Sequence, residues 1–99
     1  MELIFEDKVY DRLEVDASYT HGLPAAVVGL YRSRLQLLRA ARDERDLAAM
    51  RCLVFRPHRA RSRRQHSIRL NNHYCLIVEL QRRPGEAVLG IVEVRINDT

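Results

Sequence analysis

Ninety-nine residues suffice for one domain, 1–99, since two halves would each be too small to bury a core. With 46% hydrophobic and 30% charged residues the chain is rich enough to fold, which excludes a disordered tail, and no apolar run approaches a membrane span. The net charge of +4, with a pI near 9.6, is unevenly spread. Glu2, Glu6, Asp7, Asp11, Glu14 and Asp16 oppose only Lys8 and Arg12 in the first sixteen residues. No acidic residue stands between Asp46 and Glu79, where Arg51, Arg56, Arg59, Arg61, Arg63, Arg64 and Arg69 all fall. Such a concentration points to a surface that holds phosphates, and makes nucleic acid the first partner to test.

The opening residues do not read as a charged-then-apolar leader. Leu3–Phe5 is a short apolar run, and Val9 and Leu13, four apart, favour a short helix over Glu6–Leu13. Asp16–Gly22 is a polar connection. Pro24 suits the first turn of a long helix, to about Arg42, in which Val27, Tyr31, Leu35 and Leu38 form a stripe widened by Leu30, Leu37 and Ala41. Arg32, Arg34, Arg39 and Arg42 fill its wet side. Asp43 can cap a second helix to about Met50, with Asp46 in its first turn.

Beyond Met50 the period changes from 3.6 to 2. Cys52–Phe55 reads as a short strand ended by Pro57, and Arg59–Arg64 as a solvated loop. Ile68 and Leu70 alternate with Ser67 and Arg69 in a half-buried strand, and Asn71-Asn72 is a hairpin turn, asparagine tolerating positive φ. Tyr74–Leu80 is apolar on both faces, as in a central strand, and Gln81–Glu86 with Pro84-Gly85 is a second turn. In Val88–Ile96, Val92, Val94 and Ile96 lie on one face, Glu93 and Arg95 on the other. The order predicts an α+β domain: two to three N-terminal helices packed on a C-terminal antiparallel sheet of three main strands, with short ones from 52–55 and 2–5.

Cys52 and Cys75, each in an apolar run with no partner at metal spacing, read as buried free thiols in a reducing, cytoplasmic setting. The four histidines lack the paired spacings of zinc sites, and the four glycines are too scattered for a phosphate loop, so no metal or cofactor is expected. What chemistry the residues offer is arginine forks for phosphate oxygens and imidazoles for proton transfer. An arginine-rich loop can equally be a solvated face or the surface covered by an acidic partner. Tyr74 fits half-buried sheet packing as well as base stacking.

The stretch Arg56-Pro57-His58-Arg59, continued by His66-Ser67-Ile68-Arg69-Leu70-Asn71-Asn72-His73-Tyr74-Cys75-Leu76, resembles the RelE/ParE toxin superfamily. Within it the stretch is most similar to the HigB-like branch, the killer toxins of bacterial type II toxin–antitoxin modules. Ile4-Phe5-Glu6-Asp7-Lys8 and Leu23-Pro24 also match, as does the order of elements. The resemblance implies a small RelE-like fold and a ribosome-dependent mRNA endoribonuclease that inhibits translation without metal. It also implies a cytoplasmic toxin neutralised by a HigA-like helix-turn-helix antitoxin, touching DNA only through that complex and no membrane.

On this reading Arg56, His66 and Asp98 are the catalytic candidates. His66 owes its place to its position at the exit of the arginine loop. His58, Arg59, Arg61, Arg63, Arg64, Arg69, His73 and Tyr74 are the RNA-binding candidates. The chain departs from the branch pattern at several positions. Cys75 replaces an arginine, Ala60-Arg61 replaces glycine–aspartate, and Asp98 is followed by Thr99 with no terminal histidine. The branch's mRNA-cleaving histidine falls on Arg56, with His58 two residues later. Two other functions therefore stay open: a ParE-like, non-enzymatic inhibitor of DNA gyrase, and a catalytically impaired relative that only binds its antitoxin.

Overall fold

Asp7 accepts a hydrogen bond from Val9 N at 3.0 Å and starts helix α1 (Lys8–Val15), a cap worth about 1 kcal/mol. It follows strand β1 (Glu2–Phe5) and precedes α2 (Ala25–Ala40), where Pro24 takes the capping position rather than the first turn. Asp43 caps α3 (Glu44–Ala49) through Arg45 N. The sheet is completed by β2 (Arg56–Pro57), β3 (Gln65–Arg69), β4 (Tyr74–Arg83) and β5 (Glu86–Ile96). This computed structural model describes residues 1–58 and 63–97, so Arg59, Arg61 and Asp98 lie outside the described residues.

The five strands are ordered β1-β5-β4-β3-β2. The β2–β5 pairings are antiparallel as expected, but β1 lies parallel to β5, Glu2 opposite Val88 and Phe5 opposite Ile91, so the sheet is mixed. The α-amino group of Met1 donates to Arg39 O at 3.0 Å and pins the start of β1 to the carbonyl end of α2. Val27, Tyr31, Leu35 and Leu38 are buried with Leu13, Leu47, Leu53, Ile68, Leu76, Val78, Leu89 and Ile91 in one core. Every buried helical side chain belongs to it, so the helices cover one face of the sheet. Cys75, Ile77 and Val88, buried but outside that core, belong to the face the helices leave open.

Several local expectations give way to the structure. Cys52 is exposed, and 51–53 is a 3-10 turn rather than a strand; only Leu53 reaches the core, and Val54 at φ +47° ends the turn in the left-handed region. The hairpin at Asn71 uses no positive φ. Instead Asn71 Oδ1 accepts from His73 N at 2.8 Å and Tyr74 N at 2.9 Å, an Asx turn. The second hairpin is tighter than expected, with Arg83 paired to Glu86 across Pro84 and Gly85, the latter at φ +76°. A bulge between the Ile77–Glu93 and Val78–Ile91 pairs leaves Val92 unmatched. Val94 therefore joins Leu89 and Ile91 on the core side, while Val92 does not. The arginines of α2 are not simply solvated: Arg32 Nη2 donates to Asp16 O at 2.8 Å, capping α1, and Arg39 forks onto Glu14.

Candidate nucleic-acid interface

Side chains alternate across a strand, and residues paired across a ladder share a face. Arg56 is paired with Ser67, Ser67 with Ile77 and Ile77 with Glu93, which forms one row across the open face. Arg69, Cys75 and Arg95 form the next row. His58 follows β2 and donates its backbone N–H to Gln65 O at 2.8 Å, which continues the alternation and puts its side chain on the same face. Arg95 Nη1 lies 3.4 Å from His58 Nε2, although β3 and β4 separate their strands, so the two side chains reach toward each other over the middle of the sheet. Since guanidinium only donates, Nε2 is the accepting atom in this contact. Glu93 lies 3.9 Å from Arg95 and partly offsets it.

The other end of this face is acidic. Burial first, and then the like charge of Glu79 together with a hydrogen bond to it, holds the Glu6 carboxyl above its usual range. Gly90 leaves room there: a Cβ would come within 2.8 Å of Gln81 Nε2. The open face thus grades from an acidic corner beside β1 to a cluster of Arg56, His58, Arg69 and Arg95 at the opposite end. Among the described residues no three His, Cys, Asp or Glu side chains converge as a metal-binding group.

The remaining sequence candidates are placed elsewhere. His66, one residue before Ser67, points to the helix side. It stacks on Phe55, with ring centroids 4.4 Å apart and planes 3° from parallel, and its Nδ1 lies 3.2 Å from Arg64 O. It faces a cavity of about 460 Å³ shared with Met1, Asp43, Glu44, Arg63 and Arg64. His66 and Arg56 are therefore not brought together, because adjacent positions of β3 face opposite ways. Tyr74 packs half-buried against the core, and His73 is exposed in the hairpin. Arg95 and Glu93 were not among the sequence candidates. The available signal was parity: Arg56/His58, Ser67/Arg69 and Glu93/Arg95 each occupy alternate positions on the polar side of their strands.

No family model matches the chain, and no curated protein matches it. Among solved structures it is similar to the YoeB/ParE toxin from Agrobacterium tumefaciens, with a TM-score of 0.64 and 12% identity over 99% of this chain and 100% of that one. At that identity the likeness is one of fold. No described helix is long and apolar enough to cross a membrane.

Proposed function

We propose that the chain is the toxin of a type II toxin–antitoxin module and that the open face of its sheet binds and cleaves mRNA on the ribosome. The observation that carries this reading is the contact of His58 with Arg95 over a face that also presents Arg56 and Arg69. Cleavage of RNA by its own 2′-hydroxyl needs a base for that proton, positive charge on the phosphorane, and a proton for the departing 5′-oxygen. His58 takes the first part when its Nε2 lone pair passes from the Arg95 guanidinium to the 2′-hydroxyl, and the guanidinium groups of Arg56, Arg69 and Arg95 take the second. The products are a 2′,3′-cyclic phosphate and a free 5′-hydroxyl. Arg95 lies directly across the ladder from Cys75, the position where the resemblance expects an arginine, so the charge is supplied from the neighbouring strand. The third part, the proton for the 5′-oxygen, is assigned to Asp98, a catalytic candidate that lies outside the described residues. The HigB-like assignment rests on the Ser67–Asn71 stretch, and a protein antitoxin is the expected partner.

The reading is tested by inducing the chain in translating cells or extracts and mapping mRNA ends. Ribosome-dependent cuts that disappear with His58→Ala and Arg56→Ala are expected. Intact mRNA together with loss of gyrase supercoiling would replace this reading with the gyrase one.

A further inference from the structure

Past the two residues of β2, the outer edge of β3 has no strand partner among the described residues, and a second cavity of about 460 Å³ opens there. It is bordered by α2, the 3-10 turn and the β3–β4 hairpin, which contribute Arg34, Arg51 and Arg69 together with Cys52, Asn71 and Asn72. Among the described residues no acidic side chain lines it. Among the described residues none of the three arginines is paired with a carboxylate. Their bonds are to neutral groups: Arg34 Nε donates to Arg69 O at 3.2 Å, and Arg69 donates to Asn72 Oδ1. The first bond fixes Arg34 across the gap from helix to strand edge. Three like charges gathered without a counter-charge are self-repelling until an anion joins them.

We propose that this cleft is a phosphate site that takes one nucleoside monophosphate unit, the phosphate held by Arg34, Arg51 and Arg69 and the sugar or base met by the amides of Asn71 and Asn72. Its volume is within the range of small-ligand pockets and is suited to a nucleotide more than to a bare ion. Arg69 belongs both to this cleft and to the open face, so a strand lying over Arg56 would run on into it. The unit can therefore be part of an RNA strand or a free nucleotide; the first source rests on the RNA reading above, the second does not.

Cys52 is an exposed reporter inside the cleft, and buried Cys75 is an internal control. Alkylation of Cys52 by iodoacetamide in the full chain is followed by mass spectrometry, with adenosine monophosphate, adenosine or a short single-stranded RNA present. Adenosine monophosphate at ten times its Kd should slow alkylation about tenfold, since only the free fraction reacts, while adenosine should not slow it. Arg51→Ala, at an exposed position, should raise the protecting concentration about tenfold or more, with an unchanged circular dichroism spectrum. RNA that protects at lower concentration than the mononucleotide, and loses that advantage in Arg56→Ala, identifies a unit of the strand. RNA that protects no better, with the mononucleotide still effective, identifies a free nucleotide and counts against the RNA reading alone. Equal protection by adenosine, or no protection by mononucleotide or RNA, overturns the proposal.

Discussion

His58 and His66 flank the same loop and stand on opposite faces of the same sheet, in environments that give one residue type two uses. His66 is held by stacking on Phe55 and by a backbone carbonyl, on the side filled by helices. His58 meets a guanidinium above a face that no helix covers. The two cavities beside β3 repeat the contrast at equal volume. Among the described residues, the one at His66 mixes Arg63, Arg64 and Arg83 with Asp43, Glu44 and Glu86, while the one at Arg69 has arginines and no acid. A count of positive residues does not separate these regions; the parity of the strand and the presence of counter-charge do.

The largest effect that can break this comparison is kinetic. On ribosome-dependent mRNA cleavage, His58→Ala is expected to cost about 10²–10⁴-fold in rate, the range for loss of a general base. Arg56→Ala should cost about 10²–10³-fold through lost charge stabilisation, and His66→Ala should leave the rate near wild type. The reverse ranking of the two histidines would transfer the site to the helix side. Stability separates the regions next. Leu35→Ala, in the core under the helices, should lower unfolding free energy by about 2–5 kcal/mol in urea titrations. Ile96→Ala, 63% exposed at the end of β5, should stay within about 0.5 kcal/mol.

Salt dependence sharpens the contrast between arginines. The triple variant Arg56→Ala/Arg69→Ala/Arg95→Ala should reduce the log–log slope of RNA affinity against salt by about 2, from roughly 0.7 per single-strand phosphate contact. Arg63→Ala, facing the mixed cavity, should leave the slope unchanged. The smallest effect concerns the acidic corner. Burial first, and then Glu79, raises the Glu6 carboxyl, so the folded chain holds this proton at pH values where the unfolded chain has released it. Stability contributed by that proton is present at low pH and falls as the pH rises through this interval. Glu79→Gln should flatten the fall in thermal scans as the pH rises through and just above the usual carboxylate range.

The helices were legible because their signals are local: the Val27–Leu38 stripe repeats at helical spacing, and Asp43 is read as a cap from sequence alone. The 3-10 turn was not, because Cys52-Leu53-Val54 is as apolar as a strand and only the burial of Leu53 and the backbone of Val54 distinguish it. The bulge at Val92 escaped because strict alternation assumes every residue has a partner. The direction of β1 is set by the sheet edge it joins, which four residues do not encode. On the open face, charge density singled out Arg56 and Arg69 as candidates, whereas Arg95 lies far along the chain from the cluster and only the ladder brings it to His58. His66 was favoured by nearness to the loop, and nearness in sequence does not tell that its side chain faces the helix side, away from Arg56.

The placement of β1 also bears on the order in which the molecule assembles. Its residues pair with partners more than eighty positions away, whereas β4 and β5 are joined across Pro84-Gly85. The entropy lost in closing a loop grows with the logarithm of its length, and pairings distant in sequence form late. The meander of β3, β4 and β5 can therefore gather before β1 docks, and β1 should be the first strand to open when the native state fluctuates. In hydrogen exchange its amides should report a partial opening, with free energy below that of global unfolding. The acidic corner would be released in that opening while the arginine end of the sheet stayed folded.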